Sequence, residues 1–412
     1  MKKNFMVLGG GAGQLAGIIK AKELGMNVVV VDRDPACVGA LYADFFEQVD
    51  TVDFAAVEQV ARHYNVVGSM TMSNDVAVPT SCYVNEKLGL PMQGKGLTEL
   101  MTDKYQMRKR YAAHHVSSPG FYEVTKETSL TALATRLWGD GPCAYIVKPS
   151  DGSGSRGITK ITASRQLREA VLKALDSSRS GRVIVEAFIE GLEVGAVGFC
   201  VNGRMEYCFV HNDKVTNMIP VGHSFPSFLT DEQVAIIQTE TAKAFKSLGL
   251  DNGPSNIDFI IDEKGVPYLI EIGARIPATR VPELVEAYAG IDLVKLTVQL
   301  AAGEAVVCPK PDWKQPVAAE MLNFSEDCIV DHIESYEDLI QAYAPVDFDL
   351  HIQPGEKISK LTSGRNHYGH VTITGADARE AEVKCEAFLT ELKKRIVFEE
   401  LTVKDGADVP LC

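Results

Sequence analysis

The sequence predicts an α/β domain followed by α+β structure: an open parallel sheet at the N-terminal end, a central region of hairpins and helices, and a small α+β tail. Three observations carry this expectation. Over residues 1–97, continuous apolar runs rich in β-branched residues (5–8 and 28–31) alternate with helical patterns, as in a parallel sheet covered on both faces. From about residue 98, strand candidates come in neighbouring pairs with helices between them, which points to α+β. Pro309, Pro311 and Pro316 then mark a boundary, and a long amphipathic helix over 377–394 lies near the end of the chain.

Taken in order, the strand at 5–8 runs into Gly9-Gly10-Gly11-Ala12-Gly13, a helix follows to about 24, and the strand at 28–31 ends in Asp32. A helix (54–64) and a strand (66–70) complete this unit. A charged helix is expected over 98–113, then strands at 144–148, 183–186, 194–201 and 205–211. Next come a helix at 231–248, a hairpin pairing 257–261 with 266–272, and helices near 282–289 and 292–302. The resulting domains are 1–97, 98–308 and 309–412, and the tail helix is expected to pack on a small sheet.

The bulk numbers exclude several classes. A chain of 412 residues, 46% hydrophobic and 23% charged, suits two or three folded domains and argues against disorder. A formal net charge of -14 repels phosphate backbones, so no nucleic-acid partner is expected. Nine scattered cysteines with no CxxC read as reduced thiols of a cytoplasmic protein. No signal peptide and no bilayer-length apolar run are seen, so no membrane partner is expected. Base rates favour a homodimer.

Four segments carry chemistry. A two-residue turn at Lys264-Gly265 would set Asp258 opposite Glu271, Ile260 opposite Leu269 and Asp262 opposite Pro267. One face then holds Ile257, Phe259, Ile261, Tyr268, Ile270 and Ile272, and the other holds two acids side by side. Opposed like charges destabilise a sheet unless a cation sits between them. The pair reads either as a Mg2+ site or as a solvated acidic face. The loop Lys148-Pro149-Ser150-Asp151-Gly152-Ser153-Gly154-Ser155-Arg156-Gly157 follows a strand; its small residues suit close approach to a phosphate. The strand at 183–186 ends in Glu186, with Glu193 beyond it. Lys104 sits on the charged helix, where a lone lysine is ordinarily a surface residue.

Together and in this order, Asp103-Lys104, Ile146-Val147-Lys148-Pro149 with its Gly/Ser loop, Glu186 through Glu193, and Asp258 with Glu271 resemble the ATP-grasp superfamily, specifically its carboxylate–amine ligases. The resemblance implies a pre-ATP-grasp α/β domain, an ATP-grasp fold with a mobile lid subdomain (about 117–190), and an α+β tail. It implies ATP with Mg2+, or Mn2+ in its place, and small-molecule carboxylate and amine substrates, with an amino acid favoured. It assigns Lys104 and Lys148 to the ATP phosphates, Ser153, Gly154 and Ser155 to a closing loop, and Glu186, Phe188 and Ile189 to adenine. Glu193 goes to the ribose, Leu269 to the adenine floor, Lys214 to a further phosphate contact, Asp258 and Glu271 to metal, and Arg275 to the substrate carboxylate or acyl phosphate.

Two positions depart from the family pattern. Gly273 stands in Glu271-Ile272-Gly273-Ala274-Arg275 where Glu-x-Asn-x-Arg is usual, so one metal ligand must come from elsewhere. Pro277-Ala278-Thr279-Arg280 replaces a frequent Gly-Gly. The competing readings are a phosphoribosylglycinamide synthetase-like enzyme, a nucleotide binder without turnover, and an NAD-dependent oxidoreductase. The last rests on Gly9-x-Gly11-x-Gly13 with Asp32; its glycine spacing is imperfect.

Overall fold

The computed structural model describes residues 2–101, 103–139, 143–151, 156–217 and 219–399. The N-terminal unit is the expected open parallel sheet, four strands in the order Phe45–Gln48, Asn27–Asp32, Asn4–Leu8, Gly68–Met70. Val28 and Val30 pack into one apolar core and Val29 and Val31 into another on the opposite face, which is why this run carries no polar alternation. The edge strand Phe45–Gln48, with two of its four residues polar, was not legible as a strand.

A second unit forms a four-stranded antiparallel sheet, Phe121–Val124, Val183–Ala187, Tyr145–Pro149, Thr159–Ile161. Helices Leu130–Gly139 and Leu167–Ser177 close over its own apolar core. The preceding helix is shorter than expected: it spans Lys104–Ala113, not 98–113. Asp103 decides this by accepting from the Tyr105 and Gln106 N–H groups, the arrangement that starts a helix.

The main sheet has eight antiparallel strands: Pro267–Gly273, Gly253–Asp262, Gly191–Val201, Arg204–Thr216, Ile219–Phe225, Val317–Met321, Gly369–Thr374 and Asp347–Leu350. Its last three strands come from beyond residue 309, so the tail extends the central sheet. Helix Ala378–Lys394, capped by Asp377, packs on this end through Ala381, Cys385, Phe388 and Leu392. The sheet expected beneath this helix is thus the end of the eight-stranded one. The three-stranded sheet of Lys357–Ile358, Cys328–Ile333 and Ile396–Phe398 is hydrogen-bonded separately from the eight-stranded one, and its Val330, Ile358 and Ile396 join the same tail core. Among the described residues, all eight cysteines are free and no helix is long and apolar enough to cross a membrane.

Candidate active site

The register of the main sheet gathers polar side chains on one face. Glu271 pairs with Asp258, Asp258 with Gly195, and Gly195 with His211. In the adjacent row Ile260 pairs with Glu193, and Asp213 with His223. Alternate residues of a strand share a face, so Glu193, His211, Asp213, His223, Asp258 and Glu271 all line a single cavity of about 430 Å³. Gly195 is required there: a Cβ would lie 2.0 Å from the His211 ring. Lys148, Glu186, Phe188 and Ile189 of the second unit complete the wall, with Lys104, Arg275 and, from the N-terminal unit, Asp75. A second cavity of about 300 Å³ shares Asp75, Lys104, Glu271 and Gly273 and extends to Val52 and Phe54.

The acid hairpin contains a bulge. Asp258 lies opposite Glu271 as expected, but Phe259 pairs with Leu269 and Ile261 with Pro267. Ile270 is the extra residue, and its carbonyl accepts from Arg108 Nη2 at 2.6 Å. One inserted residue flips the side chains beyond it. Leu269 is therefore buried among Phe259, Ile257 and Ile272 in the core, which corrects its assignment to the adenine floor. Ile270 lines the cavity in its place.

Lys214 is a second correction. His211, Asp213 and Val215 face the cavity, so alternation turns Lys214 to the opposite face. Its Nζ lies 2.8 Å from Glu320 and 3.0 Å from Glu386, tying the sheet to the tail and leaving no phosphate contact.

Glu186 is locked between two cations, Arg108 Nε at 2.7 Å and Lys148 Nζ at 2.6 Å. Burial alone would raise its carboxyl; the two cations overcome this and hold it below the usual range. Burial in turn lowers Lys148. Lys104 reaches Glu271 at 2.8 Å. Crowding by the cavity wall, reinforced by the Glu271 charge, pushes the Asp258 carboxyl up to about 7, although the residue stays open to cavity water. Two facing carboxylates, one resisting ionisation, form a donor set that a hard divalent cation would relieve. Burial, with Asp213 nearby, raises Glu193. The Phe188 N–H is committed to the Ala144 carbonyl at 3.0 Å, which removes it as a reader of a base.

Arg275 is buried and donates from Nε to Asp75 Oδ1 at 2.7 Å. The Gly273 departure has a steric counterpart here, because a Cβ at 273 would lie 3.0 Å from that same oxygen. Burial opposes ionisation of Asp75, and the Arg275 guanidinium holds its carboxyl low. Asp75, Arg108, Asp213 and Ile270 were not among the expected site residues. The His211-x-Asp213 spacing was a usable signal for Asp213; nothing local marks Asp75. Ser153, Gly154 and Ser155 lie outside the described residues. The turn at Gly9–Gly13 lines neither cavity, and Asp32 accepts from the Gly10 and Asp34 N–H groups. The dehydrogenase reading thus finds its ribose acid already engaged.

Residues 101–279, which hold Lys104, Lys148, Arg275 and both facing acids of this cavity, match the family described as ATP-grasp domain. This stretch of the chain is an ATP-grasp domain. Residues 324–397 match L-amino acid ligase C-terminal domain 2. A D-alanine–D-alanine ligase of Parabacteroides distasonis is 26% identical over 333 residues, 74% of this chain and 98% of that protein. Among solved structures, phosphoribosylglycinamide synthetase from Anaerococcus prevotii shares the fold with a TM-score of 0.78 at 24% identity, covering 97% of this chain and 100% of that one. An L-amino acid ligase from Bacillus licheniformis does so with a TM-score of 0.76 at 20% identity, covering 97% and 99%. This ATP-grasp protein is an enzyme of carbon–nitrogen ligation.

Proposed function

We propose that this enzyme uses ATP and Mg2+ to phosphorylate the carboxylate of a small amino acid and couples the acyl phosphate to an amine, releasing ADP and phosphate. The observation that carries the reading is the convergence in one cavity of the facing acids Asp258 and Glu271 with Lys104, Lys148 and Arg275. The match of the tail to an L-amino acid ligase domain supports the substrate class.

Phosphorylating a carboxylate brings two anions together. Lys104 and Lys148 would meet the ATP phosphates, and Arg275 the substrate carboxylate, offsetting that repulsion where charge develops. Asp258 and Glu271 would hold Mg2+, which when bound screens the phosphate oxygens. Ile270, Phe188 and Ile189 form an apolar wall suited to a base, with the Ile189 N–H facing no acceptor among the described residues. Glu193, on the same face, suits the ribose hydroxyls. The acyl phosphate hydrolyses readily, so the 121–187 unit would serve as the lid that excludes water. Orienting the amine then supplies much of the remaining acceleration.

The test is nucleotide product analysis with ATP, Mg2+ and pooled amino acids. Substrate-dependent ADP and phosphate, lost in Lys148→Ala, are expected. AMP and pyrophosphate would overturn the reading.

A further inference from the structure

The face that carries the acid pair also carries His211, Asp213 and His223, which the ligase reading does not use. They sit on two neighbouring strands, with Asp213 paired directly opposite His223. Both imidazoles turn Nδ1 toward one oxygen: His223 Nδ1 lies 2.6 Å and His211 Nδ1 3.0 Å from Asp213 Oδ1. One donor atom from each residue falls within 4.8 Å of the others. His211 is 2% exposed, lines the cavity, and neither of its ring nitrogens has a hydrogen-bond partner among the described residues. Its approach to Asp213 is thus close yet out of line for a hydrogen bond. A buried polar group left without a partner is costly. His211 and Asp213 show the relation of ligands that share one metal, a short separation with no hydrogen bond between them: at ligand bonds of roughly 2.1 Å, neighbouring donors stand about 3.0–3.4 Å apart. His223 Nδ1 holds a 2.6 Å hydrogen bond to the same oxygen, which a bound metal would replace.

We propose that His211, Asp213 and His223 form a second metal site, for an imidazole-preferring divalent cation of the Zn2+ class, separate from the Asp258–Glu271 pair. Two imidazoles and one carboxylate select such cations over Mg2+, which favours oxygen donors and dehydrates reluctantly. Three protein ligands leave a coordination position open toward the cavity, as in sites that bind a reacting group. Gly195 provides the room that lets the His211 ring lie in this plane.

The test uses the full-length protein, stripped with a chelator and titrated with Co2+ in excess Mg2+. One Co2+ per chain with visible d–d bands is expected. His211→Ala and His223→Ala should each weaken binding by about a hundredfold or more. Asp213→Asn, which preserves shape and a hydrogen-bond acceptor, should also weaken it strongly, so a loss is not mistaken for misfolding. The double variant Asp258→Asn/Glu271→Gln should keep the Co2+ spectrum. Co2+ that fails to bind over Mg2+, binding undiminished in Asp213→Asn, or binding lost only in the double variant would each overturn the proposal. The readout is a spectrum and not turnover, so its failure leaves the ligase reading standing, and the reverse.

Discussion

The Glu186 carboxylate meets Arg108 and Lys148 with all three groups nearly or fully buried. Removing the shared anion leaves two buried like charges uncompensated, at a cost of roughly 3–5 kcal/mol. Glu186→Gln should therefore lower unfolding stability by about that amount in urea titration, and adding Arg108→Met should recover part of it. A neutral Glu186→Gln would refute the coupling. Asp258 behaves differently. Its folded pKa is raised from 3.8 to about 7, so the stability linked to this group is fully present below about pH 4 and is lost as pH rises through about 7. In chelator, Asp258→Asn should melt above the parent at about pH 8, with the gap closing as pH falls toward about 4. A gap that does not change with pH would show that Asp258 titrates normally.

Among the elements, the hairpin bulge decides which side chain lines the cavity. Leu269→Ala opens a hole in the core and should cost about 2–5 kcal/mol of stability, with KM for ATP unchanged. Ile270→Ala should do the reverse, raising KM for ATP several-fold with a small change in Tm. Equal KM effects in the two variants would contradict the bulged register. Composition gave no sign of this bulge. A short turn and the alternation of the flanking residues predict a regular ladder, and the extra residue appears only once the hairpin pairs with Gly191–Val201 and receives Arg108.

Across the whole molecule, the main sheet runs from the acid hairpin into the tail, and Lys214 bridges the two through Glu320 and Glu386. Lys214 and Glu386 are partly solvent-exposed, so Lys214→Ala should cost no more than about 1 kcal/mol. KM for ATP should stay constant, since the side chain faces away from the cavity. A KM rise without a stability change would restore Lys214 to the phosphate site.

The order of elements, the parallel N-terminal sheet and the facing of Asp258 and Glu271 follow from local pattern. Periodicity, β-branching and short turns act over a few residues, and they are written in the sequence. The partners of the site residues are not. Arg275 finds Asp75 across 200 positions and Lys104 finds Glu271 across 167, and no spacing encodes such contacts. The tertiary structure alone decided that Leu269 lies inward and Ile270 outward, that Lys214 turns from the cavity, that Asp75 fills the space beside Gly273, and that two histidines converge on Asp213. Each depends on which strands become neighbours and in what register, and that is settled by packing the whole chain.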